Sequence, residues 1–199
     1  MTRPPIHSER KNPTLILASA SPRRRELLAA AGYDFIVQPP TLEEPNHLPV
    51  NLPPVSYAES LAYFKARGVA ETHPGVRVLG ADTVVAVHGK ILGKPVDAVD
   101  ARTMLRNLSH NRHAVITGVA LVGPGEERII AADVTYVTMR PMSERDIEDY
   151  VASGEWQGKA GAYAIQETAD RFIVKLEGSF SNVVGLPMEL LARLLPSST

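Results

Sequence analysis

Residues Gly80 to Pro95, GADTVVAVHGKILGKP, constrain the fold most, because a carboxylate interrupts what otherwise reads as a buried strand. Val78, Leu79 and Ala81 lead in, Val84, Val85 and Val87 lead out, and Asp82 stands between them. A lone carboxylate is costly to bury unless it is paired, hydrogen-bonded or placed at a cleft. The strand therefore needs a partner or an opening at that point. His88-Gly89 reads as a hairpin turn, Lys90 to Leu92 as a short returning strand, and Gly93-Lys94-Pro95 as its break. Lys94 then emerges near Asp82. A carboxylate and a lysine on one rim suit a metal-bound or phosphate-bearing substrate. A structural Asp capping a turn, beside a solvated lysine, accounts for the same residues.

Ahead of this stretch, Thr14 to Ala18 is an apolar run followed at once by Ser19-Ala20-Ser21-Pro22-Arg23-Arg24-Arg25. Ser21 is a good N-cap, Pro22 is at home at the first helical position, and Leu27, Leu28 and Ala31 give an apolar face before Gly32. Arginines in a first helical turn oppose the helix dipole unless an anion joins them and the free backbone N–H groups. Successive helical residues point about 100° apart, so Arg23 and Arg24 are the ligand candidates and Arg25 a surface residue. A solvated basic turn is the alternative.

Tyr33 to Val37 reads as a second strand. The loop from Gln38 to Pro54 carries Pro39, Pro40, Pro45, Pro49, Pro53 and Pro54, which exclude helix and central strand. Glu43-Glu44 within it could help hold a divalent cation or be a plain solvated pair. Ser56-x-x-Glu59 reads as a capping box opening a helix to about Thr72, with Lys65 beside its apolar set as a candidate cation or a snorkelling lysine. Asp97 caps a helix across Ala98 to Leu108 whose face includes Val99, Met104, Leu105 and Leu108. His113 to Val122 and Arg128 to Met139 read as long strands forming the sheet of a second lobe. Ser143-x-x-Asp146 caps a helix, Gly154 to Gly161 is a connector, a strand follows near Arg171 to Leu176, Gly178 to Gly185 is a polar loop, and Pro187 starts a terminal helix. Alternating strands and helices give an α/β fold, with a cleft between two lobes.

The 199 residues suffice for one large domain or two small lobes. Residues 1–13 read as a flexible tail and 14–199 as a single two-lobed domain. With 21 basic and 22 acidic residues, the net charge of −1 supplies no field for nucleic acid or an anionic membrane, so any anion site must be local. No cysteine is present, which removes disulfides, thiol catalysis and cysteine metal sites. No apolar run of about 18 residues and no leader pattern occurs, which reads as a soluble, cytoplasmic protein. Common nucleotide-binding signatures and G-x-S-x-G are absent, and His7, His47, His73, His88, His110 and His113 lack metal-ligand spacing. What remains is arginines at a helix start, acids in a loop and a strand, and lysines at turns. That inventory fits metal-assisted phosphoanhydride hydrolysis, in which cations neutralise phosphates and a carboxylate orients or deprotonates water.

Six motifs then carry a resemblance: Ser19-Ala-Ser-Pro-Arg-Arg-Arg-Glu-Leu-Leu, Leu61-Ala-x-x-Lys-Ala, Gly80-Ala-Asp-Thr-Val-Val, Gly93-Lys-Pro, Gly158-Lys-Ala-Gly-Ala-Tyr-Ala-Ile-Gln and Glu177-Gly-Ser-Phe-Ser-Asn-Val-Val-Gly-Leu-Pro. In this order, from Leu15 to about Leu195, the chain resembles the Maf family of nucleoside triphosphate pyrophosphatases. The resemblance implies a mixed, twisted sheet in two lobes around a deep central cleft, similar to inosine triphosphate pyrophosphatases. It implies hydrolysis of a nucleoside triphosphate to the monophosphate and pyrophosphate with Mg²⁺ or Mn²⁺, and a homodimer. It places the catalytic carboxylate on Asp82, metal-binding acids on Asp82 and Glu44, and substrate contacts on Ser19, Arg23, Arg24, Lys65 and Lys94. It ties base choice to Arg23, Thr83 and Gln166. The Tyr163-x-Ile165-Gln166 pattern resembles the branch acting on dTTP and UTP rather than on 7-methyl-GTP. Ala164 and Glu167 depart from the glycines expected there, Ala164 limiting positive φ and Glu167 adding negative charge near the base pocket. The rival readings are a purine-directed pyrophosphatase of the same family and a non-catalytic nucleotide-binding regulator of cell division.

Overall fold

The computed structural model describes residues 15–41, 52–166 and 168–195. Its strands are β1 (Leu15–Ala18), β2 (Ile36–Val37), β3 (Arg77–Val87), β4 (Lys90–Leu92), β5 (Arg112–Val122), β6 (Arg128–Met139) and β7 (Ile173–Glu177). Its helices are α1 (Pro22–Ala30), α2 (Pro54–Ala70), α3 (Ala98–Leu108), α4 (Glu144–Ser153), α5 (Phe180–Val184) and α6 (Met188–Leu194), with 3-10 turns at Ala160–Ala162 and Thr168–Phe172. All strands join one seven-stranded mixed sheet of order β2-β1-β3-β5-β6-β7, with β4 paired to β3. The α/β architecture is as expected. The long β5–β6 hairpin does not, however, form the sheet of a separate lobe: β3 pairs along its length with β5 and joins the halves.

The two faces of β3 are used differently, as its alternation dictates. Val78 and Val84 pack under α2 with Ala58, Ala62, Ala66 and Val69. On the opposite face, Leu79 and Ala81 join a cluster with Leu28 of α1 and Leu190 and Leu191 of α6. Val85 and Val87 join a second cluster with α3, α4 and Phe172. Thr83 falls between those two clusters, and Thr117 lies opposite it on β5. The lobes are therefore two cores on one face of a continuous sheet, parted by a polar band.

A notch in the same strand opens the cleft. β1 pairs with β3 only through Gly80, and β4 only from Val85 onward. Among the described residues, Ala81 to Val84 have no strand beside them on that edge. Asp82 and Thr83, pointing to opposite faces, are both reached through this gap. The gap lies just beyond the carboxyl end of β1, the side on which open α/β sheets bind ligands.

Local expectations are mostly met. Ser21 caps α1 by accepting from the Arg24 amide, and Asp97 and Ser143 cap α3 and α4. The hairpin turn has φ 49° at His88 and 74° at Gly89, both in the left-handed region a tight primed turn requires. Other expectations need correction. α2 starts at Pro54, so Ser56 lies inside the helix rather than capping it, and Tyr57 donates its amide to the Pro53 carbonyl at 2.9 Å. Proline is tolerated in a first turn because its missing N–H is an orphan there. The expected strand from Tyr33 shrinks to Ile36–Val37. Val99 is exposed, and Ala101 takes its place on the buried face of α3. The polar loop at Gly178 to Gly185 contains α5, capped by Ser179.

Candidate active site

α2 shows how the charged centre is built. Its buried stripe runs through Ala58, Leu61, Ala62, Lys65, Ala66 and Val69, the spacing of one helix face. Lys65 belongs to that stripe and does not snorkel to solvent. Glycines beneath let the helix approach. A Cβ on Gly80 would stand 2.2 Å from the Ala62 carbonyl oxygen, and one on Gly118 would stand 2.3 Å from the Ala58 backbone. This close packing brings Lys65 Nζ to 2.5 Å from Asp82 Oδ1. Asp82 is 8% exposed and Lys65 9%; an ion pair this buried holds its geometry but is costly to break from one side. Asp82 Oδ2 takes no protein donor among the described residues.

On the other face of β3, Arg24 reaches in from α1. It donates Nε–H to the Gly185 carbonyl at 2.7 Å, Nη1–H to Ser19 Oγ at 3.2 Å and Nη2–H to Thr83 Oγ1 at 3.1 Å. Arg24 thus fastens the β1–α1 loop, β3 and the α5–α6 turn, in addition to bordering the cleft. Thr83 Oγ1 meets Thr117 Oγ1 at 2.9 Å, and Thr117 donates to the Asn182 carbonyl at 3.0 Å. Asn182, fully buried, donates Nδ2–H to the Val115 carbonyl and to Thr135 Oγ1.

Together these elements surround a cleft of about 440 Å³. Ser19, Arg23, Arg24, Lys65, Asp82, Thr83 and Lys94, each singled out from the sequence, all line it. Arg25 is exposed, as expected. Lys159, Tyr163 and Gly185 also line it and were not named as site residues, although Lys159 and Tyr163 lie within the Gly158 to Gln166 motif and Gly185 within the Glu177 to Pro187 motif, the signal that could have found them. Gln166 is exposed and is not among the lining residues, whereas Ala164 and Ile165 are. The concern over Ala164 falls on the wrong residue: positive φ occurs at Gly161 and Ala162. Glu44 and Glu167 lie outside the described residues.

His113 stands behind Tyr163 and does not itself line the cleft. Its Nε2 and the Tyr163 hydroxyl are 2.8 Å apart, and the rings meet edge to face. Burial pushes the His113 pKa from 6.5 down to about 4 and drives the Tyr163 phenol upward. The Asn111 backbone offsets part of the His113 shift, although Nδ1 makes no hydrogen bond of normal geometry.

A divalent cation would find few protein donors here. Among the described residues, no group of three or more His, Cys, Asp or Glu side chains gathers, and Asp82 is the cleft's sole carboxylate. An all-protein cage is thus not formed by these residues. One carboxylate beside a phosphate-bearing ligand does suit Mg²⁺, which binds through one or two carboxylates and substrate phosphates.

The chain is similar to known proteins. The Maf-like protein family matches residues 14–198. A dTTP/UTP pyrophosphatase of Symbiobacterium thermophilum is 46% identical over 181 residues, covering 91% of this chain and 92% of the relative. A protein of the same name from Geobacter sp. (strain M21) is 48% identical over 180 residues, covering 89% and 92%. The solved structure of a HAM1 protein from Coxiella burnetii superposes with a TM-score of 0.52 at 18% identity, covering 92% of this chain and 98% of that one; this likeness is one of fold.

Proposed function

The chain belongs to the Maf family, and on that premise we propose that it hydrolyses dTTP and UTP to the monophosphate and pyrophosphate in the Asp82 cleft. The observation that carries this reading is the meeting of Asp82 with Arg23, Arg24, Lys65, Lys94 and Lys159 around one cavity. A triphosphate needs this density of positive charge, and water attack needs a fixed carboxylate near it. Relatives 46% and 48% identical over nine-tenths of the chain bear the matching name.

In this reading the cations hold and neutralise the triphosphate. Lys65 fixes one oxygen of Asp82, and Oδ2 is left to take a proton from, or orient, the attacking water. Such a general base contributes roughly 10²–10⁴-fold. A Mg²⁺ or Mn²⁺ held by Asp82, with Glu44 as a further ligand, would supply charge neutralisation at the phosphate oxygens. Arg23, Thr83 and Gln166 choose the base; Gln166, exposed at the end of the Tyr163–Gln166 segment, requires that segment to fold over the nucleotide. Ser19 serves the site through Arg24. No helix among the described residues is long and apolar enough to cross a membrane, and we place the protein in the cytoplasm, as a homodimer without nucleic-acid partners.

The test is a panel of dTTP, UTP, CTP, GTP and 7-methyl-GTP with Mg²⁺ and with Mn²⁺, read as pyrophosphate release. Turnover confined to dTTP and UTP is expected; turnover led by 7-methyl-GTP would transfer the chain to the purine-directed reading.

A further inference from the structure

Each hydroxyl in the polar band has one proton to give, and the partners determine where it goes. Thr117 Oγ1 lies 3.0 Å from the Asn182 backbone oxygen, which can only accept, so the Thr117 proton is committed there. Thr117 cannot then donate to Thr83, and their 2.9 Å contact must run from Thr83 to Thr117. Arg24 Nη2–H already donates to Thr83 Oγ1. With its proton spent and one lone pair taken, Thr83 has a single lone pair left. Thr83 is partly exposed and borders the cleft.

We infer that Thr117 and Asn182 are positioning residues that make Thr83 an obligate acceptor, so that the cleft selects a nucleotide presenting an N–H at that point. A phosphate oxygen is itself an acceptor and is repelled there, so Thr83 does not serve the triphosphate. A base donor common to thymine and uracil is the imide N3–H. Cytosine presents a lone pair at the same atom and would face the lone pair of Thr83. Resting on the pyrophosphatase reading above, this assigns rejection of CTP to the direction of a buried hydrogen-bond chain. Asn182 is held in turn by Val115 of β5 and Thr135 of β6, whose own proton goes to the Ser179 carbonyl, so the acceptor that takes the Thr117 proton is fixed in place on the same face of the sheet.

The experiment compares kcat/KM for UTP and CTP in wild type, Thr117→Val and Thr117→Ser, with thermal melts. Thr117→Val removes the acceptor that takes the Thr83 proton and frees Thr83 to donate. The UTP-to-CTP ratio should fall by about 10-fold or more, and Thr117→Ser should restore it. Should Thr117→Val fail to fold, Thr83→Val, which removes the acceptor itself, should collapse the same ratio. Equal losses on both nucleotides, or an unmoved ratio in an active wild-type background, would overturn the inference alone. Wild-type protein releasing no pyrophosphate from either nucleotide would overturn the pyrophosphatase reading, and this inference with it.

Discussion

Arg24 and Arg25 are neighbours in sequence with different fates, and the contrast can be measured. Arg24 holds Ser19, Thr83 and Gly185, whereas Arg25 is exposed on α1. Arg24→Ala should destabilise by about 1.5–3 kcal/mol, the range for hydrogen bonds involving a charged group, and lower kcat/KM at least about 10-fold. Arg25→Ala should stay within about 0.5 kcal/mol of wild type; equal effects in urea titrations would contradict the assignment. His113 yields a pH prediction. Its folded pKa of about 4 lies below its ordinary 6.5, so the unfolded chain binds a proton that the folded chain refuses. The contribution is complete above pH 6.5 and is lost as pH falls toward 4, up to about 3 kcal/mol. His113→Gln should flatten the urea midpoint across that window, and an unchanged slope would refute the buried-neutral state. At this scale, Asp82 was legible because a carboxylate in an apolar run needs a reason to be there. Arg24 was only half legible: its position at a helix start pointed to an anion, but its partners Thr83 and Gly185 lie 59 and 161 residues away.

β3 and α2 together bring Lys65 to Asp82, and their contact depends on absent side chains. A methyl at Gly80 would meet the Ala62 carbonyl oxygen at 2.2 Å and the Ala66 amide at 2.7 Å, helix backbone that cannot rotate aside. Gly80→Ala should therefore cost at least about 2 kcal/mol and lower turnover further by lifting Lys65 from Asp82. A Gly80→Ala protein with wild-type stability and turnover would show that this approach is not required. The capped helices α1, α3 and α4 were legible because short-range chemistry fixes their ends. α5 was not: it is five residues long, too short for a period, and its Ser and Asn residues favour turns as readily. The start of α2 was misplaced because a plausible capping box lies one turn inside a helix that prolines had already begun.

Across the whole molecule, the sheet is one body and the lobes are two cores on one of its faces. Strand and helix alternation revealed the α/β class and the cleft, but periodicity is silent on pairing partners. The sequence therefore could not show that β3 uses β1 for its first part, β4 for its last and neither between. That notch opens both faces of β3 onto one cleft, where Asp82 and Thr83 both line the wall. Light scattering should report a dimer mass if the proposed assembly is correct, and a monomer at working concentration would remove it. In the proposed reaction Asp82, held by Lys65, drives water onto a nucleoside triphosphate. That step is tested most directly by measuring pyrophosphate release from UTP and UTP binding side by side for wild type and Asp82→Asn. Turnover reduced at least about 10²-fold with binding retained is the predicted result, and an Asp82→Asn enzyme as active as wild type would contradict it.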